Sequence, residues 1–65
     1  MIKSFATLKV GDRLHYGFTN EVVKVVAIAQ GRVFICFEDG TMLTPRVDTT
    51  LDSWLRAFSL LSNPA

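Results

Sequence analysis

The side chains with the most chemical potential are His15, Cys36 and the adjacent carboxylates Glu38 and Asp39. His15 is the one general-base candidate. A hydrolytic or transfer mechanism would need a nucleophile beside it and a carboxylate behind it. Cys36 lies in the apolar run Val33-Phe34-Ile35-Cys36-Phe37, where a buried thiol is inert. Glu38 and Asp39 point apart on an extended strand and do not form an acid–base pair. Asp39, followed by Gly40, reads instead as turn chemistry. A zinc site takes about four ligands, and one cysteine and one histidine cannot supply them. Gly11, Gly17, Gly31 and Gly40 are isolated, so no glycine-rich loop cradles a phosphate. The expectation is a protein with no catalytic residue, no cofactor and no metal: not an enzyme.

What remains is binding. Tyr16, Phe18, Phe34 and Phe37 fall in or near neighbouring strands. Such rings can line a groove for a peptide, a methylated amine or stacked bases. Tyr16 and Phe37 are expected in the core, and Phe18, beside the Thr19-Asn20 loop, is expected as the exposed ring. The candidate binding surface is Arg13, Phe18, Lys24, Arg32 and Phe34. Basic residues alternate there with aromatic and aliphatic ones, as in a nucleic-acid groove. Seven basic against six acidic residues give a net charge of +1, with no overall basic excess. Nucleic acid therefore ranks behind protein as the expected partner.

These residues must be positioned by strands. Lys9-Val10-Gly11-Asp12-Arg13 reads as a turn that launches a strand from Arg13 to Phe18. A second strand, Glu21 to Ala29, is dense in β-branched residues and apolar on both faces: Val23, Val25, Ala27 and Ala29 on one, Val22, Val26 and Ile28 on the other. Gln30-Gly31 is a turn. A third strand runs from Arg32 to Glu38. Asp39-Gly40 predicts a type I′ hairpin, and a short fourth strand from Thr41 ends before Pro45. Residues 1–7 are expected as an extended arm. Beyond about residue 49 the period changes: Leu51, Trp54, Leu55, Phe58 and Leu61 recur with helical spacing. An amphipathic helix over about 49–62 is expected, capped by Asp48, Thr49 or Thr50 and ended by Asn63-Pro64. Its stripe is expected to cover the outer side of strands two and three, or the same surface of a second copy.

With 65 residues there is room for one domain, 1–65, with a barrel over about 8–47 ahead of the helix. Chains this short rarely supply a large core alone, which favours self-association. The lone cysteine fits a reducing compartment. The start, Met1-Ile2-Lys3-Ser4-Phe5-Ala6, lacks the apolar segment of a signal peptide, and no apolar stretch approaches the roughly 20 residues of a membrane span. The expected location is cytoplasmic. The expected partner is another protein or a second copy, with no membrane contact.

The succession Gly11-Asp12-Arg13-Leu14, Val22-Val23-Lys24-Val25-Val26 and Val33-Phe34-Ile35-Cys36-Phe37-Glu38-Asp39-Gly40-Thr41 resembles the SH3-like small-barrel superfold, and in its last stretch Tudor domains. The resemblance covers about residues 8–47. It implies a mainly β, antiparallel barrel of four to five strands. In Tudor domains of the reader kind it further implies a cage for methylated lysine or arginine, with Phe18 and Phe37 as two rings and Asp39 as the acidic member. The third ring has no counterpart among Thr19, Asn20, Glu21 and Val22, and the last strand of an SH3-like barrel is expected to be replaced by the helix. The opening Gly11-Asp12-Arg13 is also similar to plasmid-borne dihydrofolate reductases, but their Val-Gln-Ile-Tyr pore motif is absent. The function expected is a non-catalytic binding or adaptor module acting through protein–protein interaction or self-association, with a nucleic-acid-binding barrel as the alternative.

Overall fold

Alternation decides which side of each strand is buried. Leu14, Val23, Val25, Val33 and Ile35 are all buried, while Arg13, Lys24 and Arg32 between and beside them are exposed. In the computed structural model, which describes residues 2–62, the chain is mainly β. A 3-10 turn (Phe5–Thr7) precedes strands β1 (Arg13–Tyr16), β2 (Glu21–Ala29), β3 (Arg32–Cys36) and β4 (Met42–Leu43), then a short helix α1 (Asp52–Ala57) and a final strand β5 (Phe58–Ser62). All five strands form one antiparallel sheet in the order β4-β3-β2-β1-β5. Its end strands are not hydrogen-bonded to each other. Register aligns the buried set: Leu14 faces Val23, Val25 faces Ile35, and Ile35 faces Leu43.

A bulge at Val26 shapes the sheet. Val25 pairs with Ile35 and Ala27 with Phe34, so Val26 is the extra residue. The extra residue bends the strand and reverses its alternation, which brings Ile28 opposite Val33. β2 therefore serves both halves of a folded-over sheet.

The C-terminal third departs from the expected helix over 49–62. The helix has six residues, Leu51 stands at its N-cap with no side-chain cap bond, and Phe58 is already extended. None of Asp48, Thr49 and Thr50 caps it. The cause is backbone pairing. β1 has a free edge on the side away from β2, and its N–H and C=O groups need partners. β5 supplies them, with Tyr16 opposite Phe58, His15 opposite Ser59 and Leu14 opposite Leu60. The last strand expected to be replaced by a helix is thus present. Of the stripe, Leu55 and Phe58 are buried, Trp54 is partly exposed, and Leu51 and Leu61 are exposed. The outer side of β2 is not covered by the helix: Val22 and Val26 remain exposed, as does Ile28 on the Val33 side beyond the bulge. The expected stop at Asn63-Pro64 lies outside the described residues.

The N-terminal segment is also no extended arm. Ser4 Oγ accepts the Ala6 N–H at 3.0 Å and caps the 3-10 turn. This drives Phe5 into the core, edge-on to Phe58 at 5.7 Å. The Ile2 N–H donates to the Phe58 carbonyl at 3.2 Å.

Two turns differ in detail from expectation. The β2–β3 turn has positive φ at both Gln30 (55°) and Gly31 (74°), the signature of type I′. The Asp39-Gly40 turn is not type I′: only Gly40 has positive φ (89°), and its N–H donates to the Phe37 carbonyl at 3.1 Å. Asp39 instead accepts the Thr41 N–H at 2.8 Å. Near β1, Asp12 is buried with its carboxylate accepting the Lys9 N–H at 2.8 Å.

Phe58→Ala should cost about 3–5 kcal/mol, against a total stability of about 3–10 kcal/mol for a chain this long. Urea titration should show a variant at the edge of folding. Hydrogen bonds from the Thr41 side chain and then its backbone N–H hold the Asp39 carboxyl below its ordinary 3.8. A depressed folded value means the stabilisation is present above the unfolded value and lost as pH falls through the folded one. Melting curves of wild type and Asp39→Asn should therefore differ at neutral pH and converge below about pH 4.

Candidate functional site

Tyr16 is the last residue of β1, and its ring turns toward the core side of the sheet beside Phe58. Three rings surround it. Phe18, from the β1–β2 loop, lies edge-on at 5.3 Å; Phe37, after β3, edge-on at 5.0 Å; Phe58, opening β5, tilted at 5.0 Å. Aromatic pairs at such separations favour edge-on geometry because the positive ring edge meets the negative face. Trp54 comes from α1 and meets Phe5 edge-on at 6.5 Å. The helix is held over the strand by Leu55, which is buried, and by the Gly17 N–H donating to the Ala57 carbonyl at 2.7 Å.

Between loop and helix lies an open groove of about 280 Å³, lined by Tyr16, Phe18, Leu43, Trp54, Ala57 and Phe58, with Ser53 at its rim. Ligand pockets run from about 300 to 1,000 Å³, so this groove lies at the small end of that range. Phe18, Ser53 and Ala57 also line a second hollow, of about 420 Å³, with Gly17 and Arg56. Phe18 is 73% exposed and Trp54 36%; both present ring surface that the core does not use.

Carboxylates neighbour two of the rings, Tyr16 and Phe37, in the register or along the chain. Glu21 stands directly opposite Tyr16 in the β1–β2 register, and Glu38 and Asp39 follow Phe37 in the chain. Arg56, which lines the second hollow, is paired with Asp52 at 2.6 Å.

The five candidate binding residues do not form one surface. Phe18 belongs to the groove. Arg13, Lys24, Arg32 and Phe34 lie on the outward side of the sheet. Of the candidate helix interface, Trp54 and Phe58 line the groove, Leu55 is buried, and Leu51 and Leu61 lie outside it. Four lining residues, Tyr16, Leu43, Ser53 and Ala57, are not among the candidate site residues. The available signal was Tyr16's place at the end of a strand next to a polar loop, where a ring is core on one side and exposed on the other.

The groups with catalytic potential stay apart. His15 Nε2 is hydrogen-bonded to Asn20 Oδ1. Cys36 is on β3 and His15 on β1, two strands apart, or about 10 Å. The Cys36 thiol donates to the Phe37 carbonyl at 3.4 Å. Among the described residues no group of three His, Cys, Asp or Glu side chains is placed to hold a metal ion, and no helix is long and apolar enough to cross a membrane.

Compared with known protein families, with curated proteins and with solved structures, the chain matches none. Its function must be argued from its own surface.

Phe18→Ala should leave stability within about 0.5 kcal/mol of wild type, as exposed substitutions do. Tyr16→Ala, which removes the ring three others pack on, should cost about 3 kcal/mol or more. Parallel denaturation curves of the two variants check the contrast, which marks Phe18 as a ring the fold does not require.

Proposed function

We propose that this chain is a small protein-binding module of SH3-like, Tudor-like build, whose aromatic groove receives a basic side chain from a partner peptide. One observation carries this: exposed ring surface from Phe18 and Trp54 lines one groove with Tyr16 and Phe58; Glu21 stands opposite Tyr16 in the register, and Glu38 and Asp39 follow Phe37, whose ring packs on Tyr16. Ring faces attract cations by about 0.5–2 kcal/mol each, more as water is excluded. Nearby carboxylates add a favourable field for the same charge. Two further features support the SH3-like part of the reading. The final strand pairs with β1, and a short helix stands immediately before it. The ring missing from the Tudor-like pattern has substitutes in Tyr16 and Trp54.

The occupant is a different protein rather than a second copy. A copy would have to offer its own cations to the groove of its neighbour. Such a contact would join copies into a dimer, a ring or an open polymer, whereas a partner peptide leaves the free chain monomeric. Light scattering at micromolar concentration should accordingly find a monomer.

The test is selection of binders from a random displayed peptide library, with affinity then read from the fluorescence of the sole tryptophan, Trp54. Selected peptides should be enriched in lysine or arginine. Replacing that residue by norleucine should weaken binding at least about fivefold, given the cation–ring energies above, and Phe18→Ala should weaken it similarly. Binders that are indifferent to Phe18, or equally tight without a basic residue, would remove the reading.

A further inference from the structure

The outward side of the sheet carries a second pattern, which the groove does not use. Arg13 stands directly opposite Lys24, and Lys24 directly opposite Cys36. On β3 the same side continues from Cys36 through Phe34 to Arg32. Strand rise places Arg32 about 13 Å from the level of Lys24, with the half-buried ring of Phe34 between them. His15, Val22 and Met42 complete the face.

No carboxylate stands opposite Arg13, Lys24 or Cys36 in the register; at the far end Arg46 is the cross-strand neighbour of Arg32, and Asp48, the ion-pair partner of Arg46, lines a hollow with Arg32. Asp12 is buried in the turn before β1, Glu21 is aligned with Tyr16 on the other side, Glu38 and Asp39 sit in the β3–β4 turn, and Asp48 and Asp52 are paired with Arg46 and Arg56. Among the described residues Arg13, Lys24 and Arg32 form no ion pair. Arg32 gives one guanidinium N–H to the Thr44 carbonyl at 2.9 Å, which orients the group without cancelling its charge. Within the net charge of +1, Arg13 and Lys24 are thus cations with no ion-pair partner among the described residues, set side by side on the sheet face. Like charges directly opposite on neighbouring strands are destabilising. An anion bound across Arg13 and Lys24 relieves that cost.

We infer that this face binds single-stranded nucleic acid, with phosphates on Arg13, Lys24 and Arg32 and a base stacked on Phe34. Charge alone would also admit an acidic peptide. The flat ring set among the cations decides for a single strand, because unpaired bases stack on aromatic rings and an acidic side chain gains nothing there. A duplex keeps its bases stacked inside and offers none to Phe34.

The test is anisotropy of a labelled oligothymidylate titrated with the full chain across a range of salt. Neutralising three phosphates of a single strand gives a slope of log affinity against log salt of about −2, at ~0.7 per phosphate. Arg13→Gln and Lys24→Gln, both at exposed positions, should each reduce the slope by about 0.7. Phe34→Leu, which keeps apolar volume but removes the ring, should weaken binding at least about fivefold. Phe18→Ala should leave it unchanged, which separates this face from the groove. The inference is overturned by absence of binding at low salt, by a slope indifferent to both charge variants, by loss of binding in Phe18→Ala, or by polyglutamate competing as well as oligothymidylate.

Discussion

The structure turns on the burial of one ring, Phe58. It stands where α1 ends and β5 begins, and it is fully buried against Phe5 and Tyr16. A helical continuation would keep this ring inside but leave the free edge of β1 unpaired. An extended continuation keeps the ring inside and satisfies that edge as well. Burying a side chain of this size is worth about 1.5–3 kcal/mol in either geometry, so the backbone hydrogen bonds break the tie. The Phe58 carbonyl then accepts the Ile2 N–H, which fixes the N-terminal segment and seats Phe5. Both ends of the chain are thereby tied to one residue, and the groove exists because that residue presents its flank to Tyr16 and Trp54.

This explains how so short a chain, with a single cysteine and so no internal disulfide, builds a core. The buried set draws on every segment: Ile2, Phe5 and Leu8 from the start, Leu14, Val23, Val25, Val33 and Ile35 from the sheet, and Leu55, Ala57 and Phe58 from the end. No layer of helix covers the sheet. The sheet folds over itself at the Val26 bulge, and the inner side is closed by side chains from the two ends. The outer side is left to solvent, and there evolution or chance is free to place charge. That Arg13 and Lys24 face each other on it, while Arg46 and Arg56 are paired to acids, is a cost the core does not require.

The strands were legible because period-two patterning is a local property. Glu21–Ala29 was read with its observed ends, and β3 and β4 to within two residues. The helix was misjudged for a physical reason. Leu51, Trp54, Leu55 and Phe58 carry helical spacing, and Leu55 and Phe58 are indeed buried, but periodicity cannot register the unpaired edge of a strand some forty residues earlier. The Phe5 plug was hidden for the same reason: one aromatic in a polar segment has no period. The groove was half legible. Phe18 is marked by its loop; Trp54 falls in the stripe expected to cover the sheet and is instead a wall of the groove.

The rings of the groove divide by how much the fold needs them, and the division bears on how a binding surface can change. Tyr16 and Phe58 are shared with the core, so their replacement alters stability and binding together. Phe18 owes the core little, and Arg13 and Lys24 owe it less than nothing if their mutual repulsion is counted. In a chain whose total stability is only several kcal/mol, substitutions at shared positions are closed to selection, whereas those at Phe18, Arg13 and Lys24 are open. Under the proposed reading, ligand preference is set by the loop after β1 and by the outward residues of β1 and β2, while the core-facing rings hold the groove's shape constant beneath them.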